Sequence, residues 1–396
     1  MRKIDRDMLK EISGIIESFE RIILKGEGLF ESEEMSRTIE DTIKTINLRL
    51  YNAECINISS LDHSIDIDYL KALINTWKLS LSRRKGISTD IWFWMLFEYF
   101  SYVDRETIIS NSVHAFEERM KDLPEEYREA YSKLPEMYSF MSDRIDMQRN
   151  DISLIENNVD MIKGELEKFK WLYFKLADYR SKEIMLHIID YWFFFDIKDI
   201  SDRHENIYGD YYDYDIIKPV ENGVFTDCGA FIGDTVKGYI DAFGDNYKRI
   251  YAYEISPFNY EILRSNTERY RDVTIKQKGV GKCPSTLFLD EECEGGDSRL
   301  TDHGKLSIEV VALDDDISEK IDLLKMDIEG AEKEALLGAQ RHIKEEKPEL
   351  LICTYHNASD LFEIPWMIND FRDDYSFYLR YNGTSIWPCD HVLFAV

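Results

Sequence analysis

A short apolar run, Val224-Phe225-Thr226, stops at Asp227 and Gly229, and a second glycine, Gly233, opens a stretch with helical patterning. Nothing else in the chain constrains the fold as strongly. A strand that turns through glycines into a helix places loop backbone and a helix N-terminus at one edge of a parallel sheet, where such folds bind ligands. The next apolar run, Arg249-Ile250-Tyr251-Ala252-Tyr253, also ends on an acid, Glu254. Two acids at neighbouring strand ends around a glycine turn point to a nucleotide-like cofactor and hence to an enzyme.

From about Asn222 onward, short β runs alternate with helical stretches. That alternation predicts an α/β fold, a doubly wound, mostly parallel sheet of Rossmann-like type. Seven strands are expected near residues 224–227, 249–253, 273–277, 323–327, 349–355, 376–381 and 391–396. Helices are expected after Gly233, Pro257, Glu332 and Ile364. No helical pattern separates the last two strands, so they are expected to pair as an antiparallel hairpin. Ser285–Leu289 and Ser307–Val311 read as an inserted hairpin around the polar loop 294–299.

The preceding region reads as helical throughout. Leu9, Ile12, Ile16, Phe19 and Ile23 are spaced 3-4-3-4, and Met35 to Leu50, Leu70 to Leu81 and Ile91 to Val103 add further helices. The longest unbroken period runs through Ile152, Ile155, Val159, Ile162, Leu166, Phe169, Tyr173 and Leu176. It predicts one long helix, packed either within the chain or across a homodimer built from N-terminal helices. With 396 residues, two domains are expected: an all-α N-terminal domain over 1–165 and a catalytic domain over 166–396.

A formal charge of −28 repels a phosphate backbone, so nucleic acid is not an expected partner. The most apolar segments, 91–100 and 191–195, are too short to span a bilayer. The first residues show no apolar core of a signal peptide, and none of the six cysteines forms a CxxC pair, so a reducing, cytoplasmic setting is expected.

The glycine turn discriminates between cofactors. Dinucleotide binding needs G-x-G-x-x-G, but the second and third glycine positions counted from Gly229 hold Phe231 and Asp234, a ring and a carboxylate that oppose a pyrophosphate. No G-K-[S/T] follows, which removes the Walker loop. S-adenosyl-L-methionine carries no phosphate, and its sulfonium and amine welcome an acid such as Asp227. The loop Gly229, Ala230, Phe231, Gly233, Asp234 and Thr235 would hold it, and Glu254 would accept its ribose hydroxyls. Ile255 and Val280 would cover the two faces of its adenine.

Thr226-Asp227-Cys228-Gly229-Ala230-Phe231-Ile232-Gly233-Asp234-Thr235 resembles the FkbM family of methyltransferases. So do Ser298-Arg299, Leu313-Asp314, Lys325-Met326-Asp327-Ile328-Glu329-Gly330-Ala331-Glu332, Tyr355-His356, Ile364-Pro365 and Leu379-Arg380. The likeness begins near Trp171, takes in Leu176 to Lys182, and runs to the C-terminus. It implies a class I S-adenosylmethionine-dependent fold that methylates a hydroxyl on a sugar, glycan or natural product. Where the family's final strand often carries a glutamate, this chain has Cys389-Asp390-His391. Two alternatives stand beside O-methylation: an N-methyltransferase, and a non-catalytic cofactor-binding scaffold with a helical interaction module.

For catalysis, His356 is expected as general base and Asp327 as the residue that positions cofactor or acceptor. Glu329 and Glu332 are expected to cap the following helix. Asp327, Glu329 and His356 also suit a hard divalent ion, though no metal is assigned. Arg299, His303 and Tyr212 are the expected acceptor contacts, Tyr212 as part of a stacking wall with Tyr208, Tyr211 and Tyr214. His342, beside Arg341 and Lys344, is expected at the surface.

Overall fold

The computed structural model describes residues 89–122, 145, 147, 151–196, 200–204, 211–218, 220–289, 300–301, 306–383 and 389–396. The helices expected before residue 82 lie outside the described residues. The chain divides into two compact units, Met1–Asp104 and Arg105–Val396. In the first, α1 (Thr89–Tyr102) buries Phe93, Leu96, Tyr99 and Phe100, one aromatic-rich face at helical spacing.

The second unit begins with α2 (Arg105–Asp122), α3 (Ser153–Gly164), α4 (Leu166–Lys175) and α5 (Tyr179–Phe194). The 3-4 seam from Ile152 to Leu176 is therefore two helices, not one: the backbone leaves helical geometry at Glu165, just after Gly164. Glycine is among the weakest helix formers, and the break turns α4 onto a different neighbour. α3 packs on α2 and α5, while α4 packs on α11 (Asp360–Phe371). Ile155, Val159, Ile162, Phe169 and Tyr173 are fully buried.

Seven strands then form one sheet: β1 (Gly223–Cys228), β2 (Tyr247–Tyr253), β3 (Val273–Lys276), β8 (Leu323–Met326), β9 (Glu349–Cys353), β10 (Phe377–Tyr381) and β11 (His391–Ala395), in the order β10-β11-β9-β8-β1-β2-β3. The central pairs are parallel, and β11 runs antiparallel between β9 and β10. Every residue of β1, β8 and β11 is buried, as a sheet covered on both faces requires. A smaller sheet holds β4 (Gly279–Val280), β5 (Ser285–Leu289), β6 (Leu300–Thr301) and β7 (Leu306–Val311), with β5 and β7 antiparallel as the inserted hairpin predicts. The polar loop of that insert, 294–299, lies outside the described residues.

Crossover helices α6 (Asp234–Phe243), α7 (Pro257–Thr267) and α9 (Glu332–Leu337) start where the glycine, the proline and the acid indicate. α11 begins at Asp360 and carries Pro365 inside it, five residues earlier than a proline-led start would give. Two short helices, α8 (Leu313–Asp316) and α10 (Gln340–Glu346), complete the unit.

His342, on α10, is fully buried, not at the surface. Its Nδ1 lies 2.7 Å from Glu346, and its backbone N–H donates to Asp314 at 3.1 Å. The charged neighbours Arg341 and Lys344 suggest an exposed helix face, but a one-residue step rotates the ring inward.

A buried arginine ties the helical layer to the sheet. Arg380 on β10 donates to Asp213 at 2.5 Å, to Asp178 at 2.9 Å and to Ser181 at 3.0 Å. Asp178 is also the N-cap of α5, accepting from the Ser181 amide at 2.7 Å. Leu176 bridges to Phe377, so the chain before α5 covers the exposed edge of the sheet.

Candidate active site

At the carboxyl ends of β1, β2 and β8 lies a cavity of about 390 Å³. Gly229, Phe231, Asp234 and Thr235 come from the glycine turn, Glu254 and Ile255 from the end of β2, and Lys278, Gly279 and Val280 from the approach to the smaller sheet. Lys325, Asp327, Ile328, Glu329, Gly330 and Ala331 come from β8 and the turn after it, and Tyr211 and Tyr253 close the wall.

The turn requires its first glycine. Gly229 has φ +78°, and a Cβ there would sit 1.8 Å from the carbonyl oxygen of Asp327. The loop also uses its own amides. The N–H groups of Gly229 and Ala230 donate to the Tyr253 carbonyl at 3.0 and 2.8 Å, and that of Gly233 donates to Ala230 at 2.8 Å. Phe231 N–H donates to Oε2 of Glu254 at 2.9 Å. These four amides are engaged within the protein and are not available to a pyrophosphate.

Glu254 is held from two sides. Oε1 accepts from Ser256 N–H at 2.7 Å while Oε2 accepts from Phe231. Each carboxylate oxygen keeps a second lone pair, and the group lines the cavity. Burial raises its pKa to about 7, against the opposing pull of the two amides.

Asp327 stands where β8 ends. Tyr211 donates to its Oδ2 at 2.6 Å and Tyr355 to its Oδ1 at 3.2 Å. Burial opposes its charge, but Lys325, His356 and the Tyr211 hydroxyl hold the carboxyl below its ordinary value. Burial and the Asp327 charge in turn push the Tyr211 hydroxyl well above its usual range, so it remains a proton donor. His356 lies beyond β9 with its side chain almost wholly enclosed: Nδ1 is 2.9 Å from Glu332, and Nε2 is 3.4 Å from Asp327 and 3.5 Å from Glu329.

Residues 227–378 match the family model of the methyltransferase FkbM domain. The chain carries an FkbM methyltransferase domain. A solved structure of methyltransferase FkbM from Methylobacillus flagellatus KT is 24% identical, with a TM-score of 0.53, over 62% of this chain and 63% of that one. The present chain thus spans under two thirds of that protein, and the likeness bears on the fold. Precorrin-6y C5,15-methyltransferase from Geobacter metallireducens GS-15 is 16% identical over 45% of this chain and 81% of its own, with a TM-score of 0.29. Fibrillarin from Aeropyrum pernix is 12% identical over 44% and 66%, with a TM-score of 0.30. Both scores are too low to support an argument. A comparison with curated proteins gives no match.

Within the FkbM domain the expected cofactor residues separate into two groups. Gly229, Phe231, Asp234, Thr235, Glu254, Ile255, Val280 and Asp327 stand on the cavity wall. Asp227, Ala230 and Gly233 stand behind it, all buried. Asp227 is the substantive correction: it does not face a bound cation but pairs with Lys325, its register partner on β8, at 3.1 Å. Lys325 also donates to the Gly229 carbonyl at 2.7 Å and lies over the Tyr211 ring. Asp227 therefore acts on the glycine turn through that lysine. The lysine has a signal in the sequence, a lone cation in the apolar strand Leu323-Leu324-Lys325-Met326.

His356 requires a second correction. Burial works against its charge, but Glu332, Asp327 and Glu329 outweigh that and raise its pKa to about 10. A ring that keeps its proton at neutral pH does not serve as a general base. Glu332 does not cap the helix it opens but braces the turn before it, accepting Ile328 N–H at 2.9 Å.

Tyr212 is the third. Its hydroxyl donates to the Thr235 carbonyl at 2.8 Å and its ring packs on Tyr239 and Phe243, so it is core, while its neighbour Tyr211 faces the cavity. Tyr214 meets Phe243 edge-on at the exposed side. Arg299, His303 and Tyr208 lie outside the described residues.

Proposed function

We propose that this chain is an S-adenosyl-L-methionine-dependent methyltransferase acting on a hydroxyl oxygen of a small-molecule or glycan acceptor. The observation that carries this reading is the Glu254 carboxylate, fixed by two amides and turned to a cavity beside a glycine turn in which four N–H groups are already engaged. That donor set fits a nucleoside without phosphates. Asp234, Glu254, Asp327 and Glu329 give the wall an acidic character that suits a cationic ligand. Ile255 and Val280 supply apolar surface for an adenine ring.

When bound, S-adenosylmethionine supplies an electrophilic methyl group on a sulfonium. Glu254 accepts hydrogen bonds from ribose hydroxyls, and Asp327, kept anionic by Lys325, His356 and Tyr211, attracts the positive end of the ligand. Holding two reactants in line is worth up to about 7–11 kcal/mol, so these residues act mainly by orientation. A hydroxyl grows strongly acidic as its oxygen gains a carbon, and the Asp327 carboxylate on the wall is basic enough to take a proton released so late. Asp327 thus replaces His356 in that role.

Calorimetry with S-adenosylmethionine tests the reading directly. Glu254→Ala removes hydrogen bonds to a charged group, each worth roughly 1.5–3 kcal/mol, and is expected to weaken binding by about 10–100-fold. Equal affinity in wild type and variant overturns the assignment. Incubating metabolite extracts with isotope-labelled methyl donor and searching for one added methyl identifies the acceptor, and distinguishes oxygen from nitrogen.

A further inference from the structure

We infer that Asp327, Glu329 and His356 form a site for one divalent first-row transition ion, where the turn after β8 meets the cavity. One carboxylate oxygen from each acid and one ring nitrogen lie within 4.8 Å of one another. Nε2 of His356 is 3.4 Å from Oδ1 of Asp327 and 3.5 Å from Oε2 of Glu329. Charge-assisted N–H···O bonds close to about 2.7–2.9 Å, so these are poor hydrogen-bonding distances. They match the spacing of adjacent ligands around an ion bound at about 2.0–2.2 Å, which is about 3.0–3.6 Å for octahedral or tetrahedral angles.

The far side of the imidazole gives an independent sign. Nδ1 lies 2.9 Å from Glu332, a carboxylate wholly excluded from solvent. A buried acid on the second nitrogen is how metal-binding histidines are oriented and made more basic. Asp327 is braced likewise by the Tyr211 and Tyr355 hydroxyls. Three carboxylates around one imidazolium leave an excess of negative charge, which a dication that displaces the Nε2 proton offsets. One imidazole with two carboxylates suits Mn²⁺, Fe²⁺, Co²⁺ or Zn²⁺ better than soft ions. Asp327 and Glu329 both line the cavity, so the open coordination positions face it.

Ion binding by these residues does not require the methyl donor, so it and the methyltransferase reading fail separately. The test is titration of the chelator-treated full chain with Mn²⁺ alone, followed by electron paramagnetic resonance of the free ion. One site per chain is expected. Glu329→Gln, on the cavity wall, and Glu332→Gln, behind the histidine, are each expected to weaken it by about 10–100-fold, with melting curves confirming that both variants fold. Absence of saturable binding by wild type up to millimolar Mn²⁺ or Zn²⁺, or unchanged affinity in folded Glu329→Gln, overturns the site. S-adenosylmethionine calorimetry on the same metal-free samples reports on the cofactor independently.

Discussion

Asp227 and Lys325 face each other in register across β1 and β8, 3.1 Å apart, with both side chains shut off from solvent. Burial raises the aspartate to about pKa 6, and the lysine opposes that rise. Each charge is tolerable only because the other is present. Lys325→Met should therefore lose about 3–5 kcal/mol of stability, the usual cost of leaving a buried charge alone. The double variant Asp227→Asn/Lys325→Met should recover much of the loss. Urea unfolding of wild type, each single variant and the double variant measures this; additive losses would show that the pair does not interact.

Glu254 sets a pH dependence for cofactor binding. Its carboxyl titrates near 7, and only the ionised form can accept from two hydroxyls. Affinity for S-adenosylmethionine should fall by about tenfold per pH unit below 7 and level off above it. Calorimetry between pH 5.5 and 8.5 would reveal the slope, and Glu254→Gln should bind weakly with a flatter profile. A wild-type affinity independent of pH would contradict the assignment.

Tyr211 braces Asp327 through a 2.6 Å hydrogen bond while its ring packs against the apolar core of the sheet. Tyr211→Phe keeps the ring and removes the hydroxyl. It should lower kcat/KM by about 10–100-fold, the equivalent of one hydrogen bond to a charged group. The melting temperature should change little. A large loss of stability with normal turnover would mark the residue as structural.

His187 gives the fold an acid limit. Burial, helped by nearby Arg203, lowers its pKa from 6.5 to about 3, so it is neutral when folded and protonates readily when unfolded. Between those values the unfolded chain binds the extra proton, so stability rises with pH and falls as pH drops from 6.5 towards 3. The shift corresponds to roughly 4–5 kcal/mol at most. Comparing denaturant unfolding of wild type and His187→Gln across that range should show a shallower decline in the variant.

The sheet was legible because each strand carries its own local signal: an apolar run, a polar stop and then a helical period. Gly229 and Gly233 were legible for the same reason, since a positive φ restricts the residue type at that one position. Glu254 followed from its place at a strand end. Phe231 and Asp234 argue against a pyrophosphate from their side chains alone, and the four engaged amides of the turn agree with them.

Other features depend on which strands become neighbours. Asp227 looks like a ligand contact in sequence, yet β8, arriving almost a hundred residues later, supplies the lysine that claims it. Tyr211 and Tyr212 are adjacent and chemically alike; the direction of one backbone step sends the first to Asp327 and the second into the core. His356 reads as a base until three acids, from the turn after β8 and the start of α9, enclose it.

The sequence alone determined the strand-turn-helix unit, the parallel sheet and the acid that faces the cavity, because those depend on near neighbours and backbone sterics. Only the tertiary structure decided which charges are paired, which tyrosine is exposed to ligand and which nitrogen is held by which carboxylate. Burial sets the strength of each charge interaction, and burial exists only once distant segments have packed together.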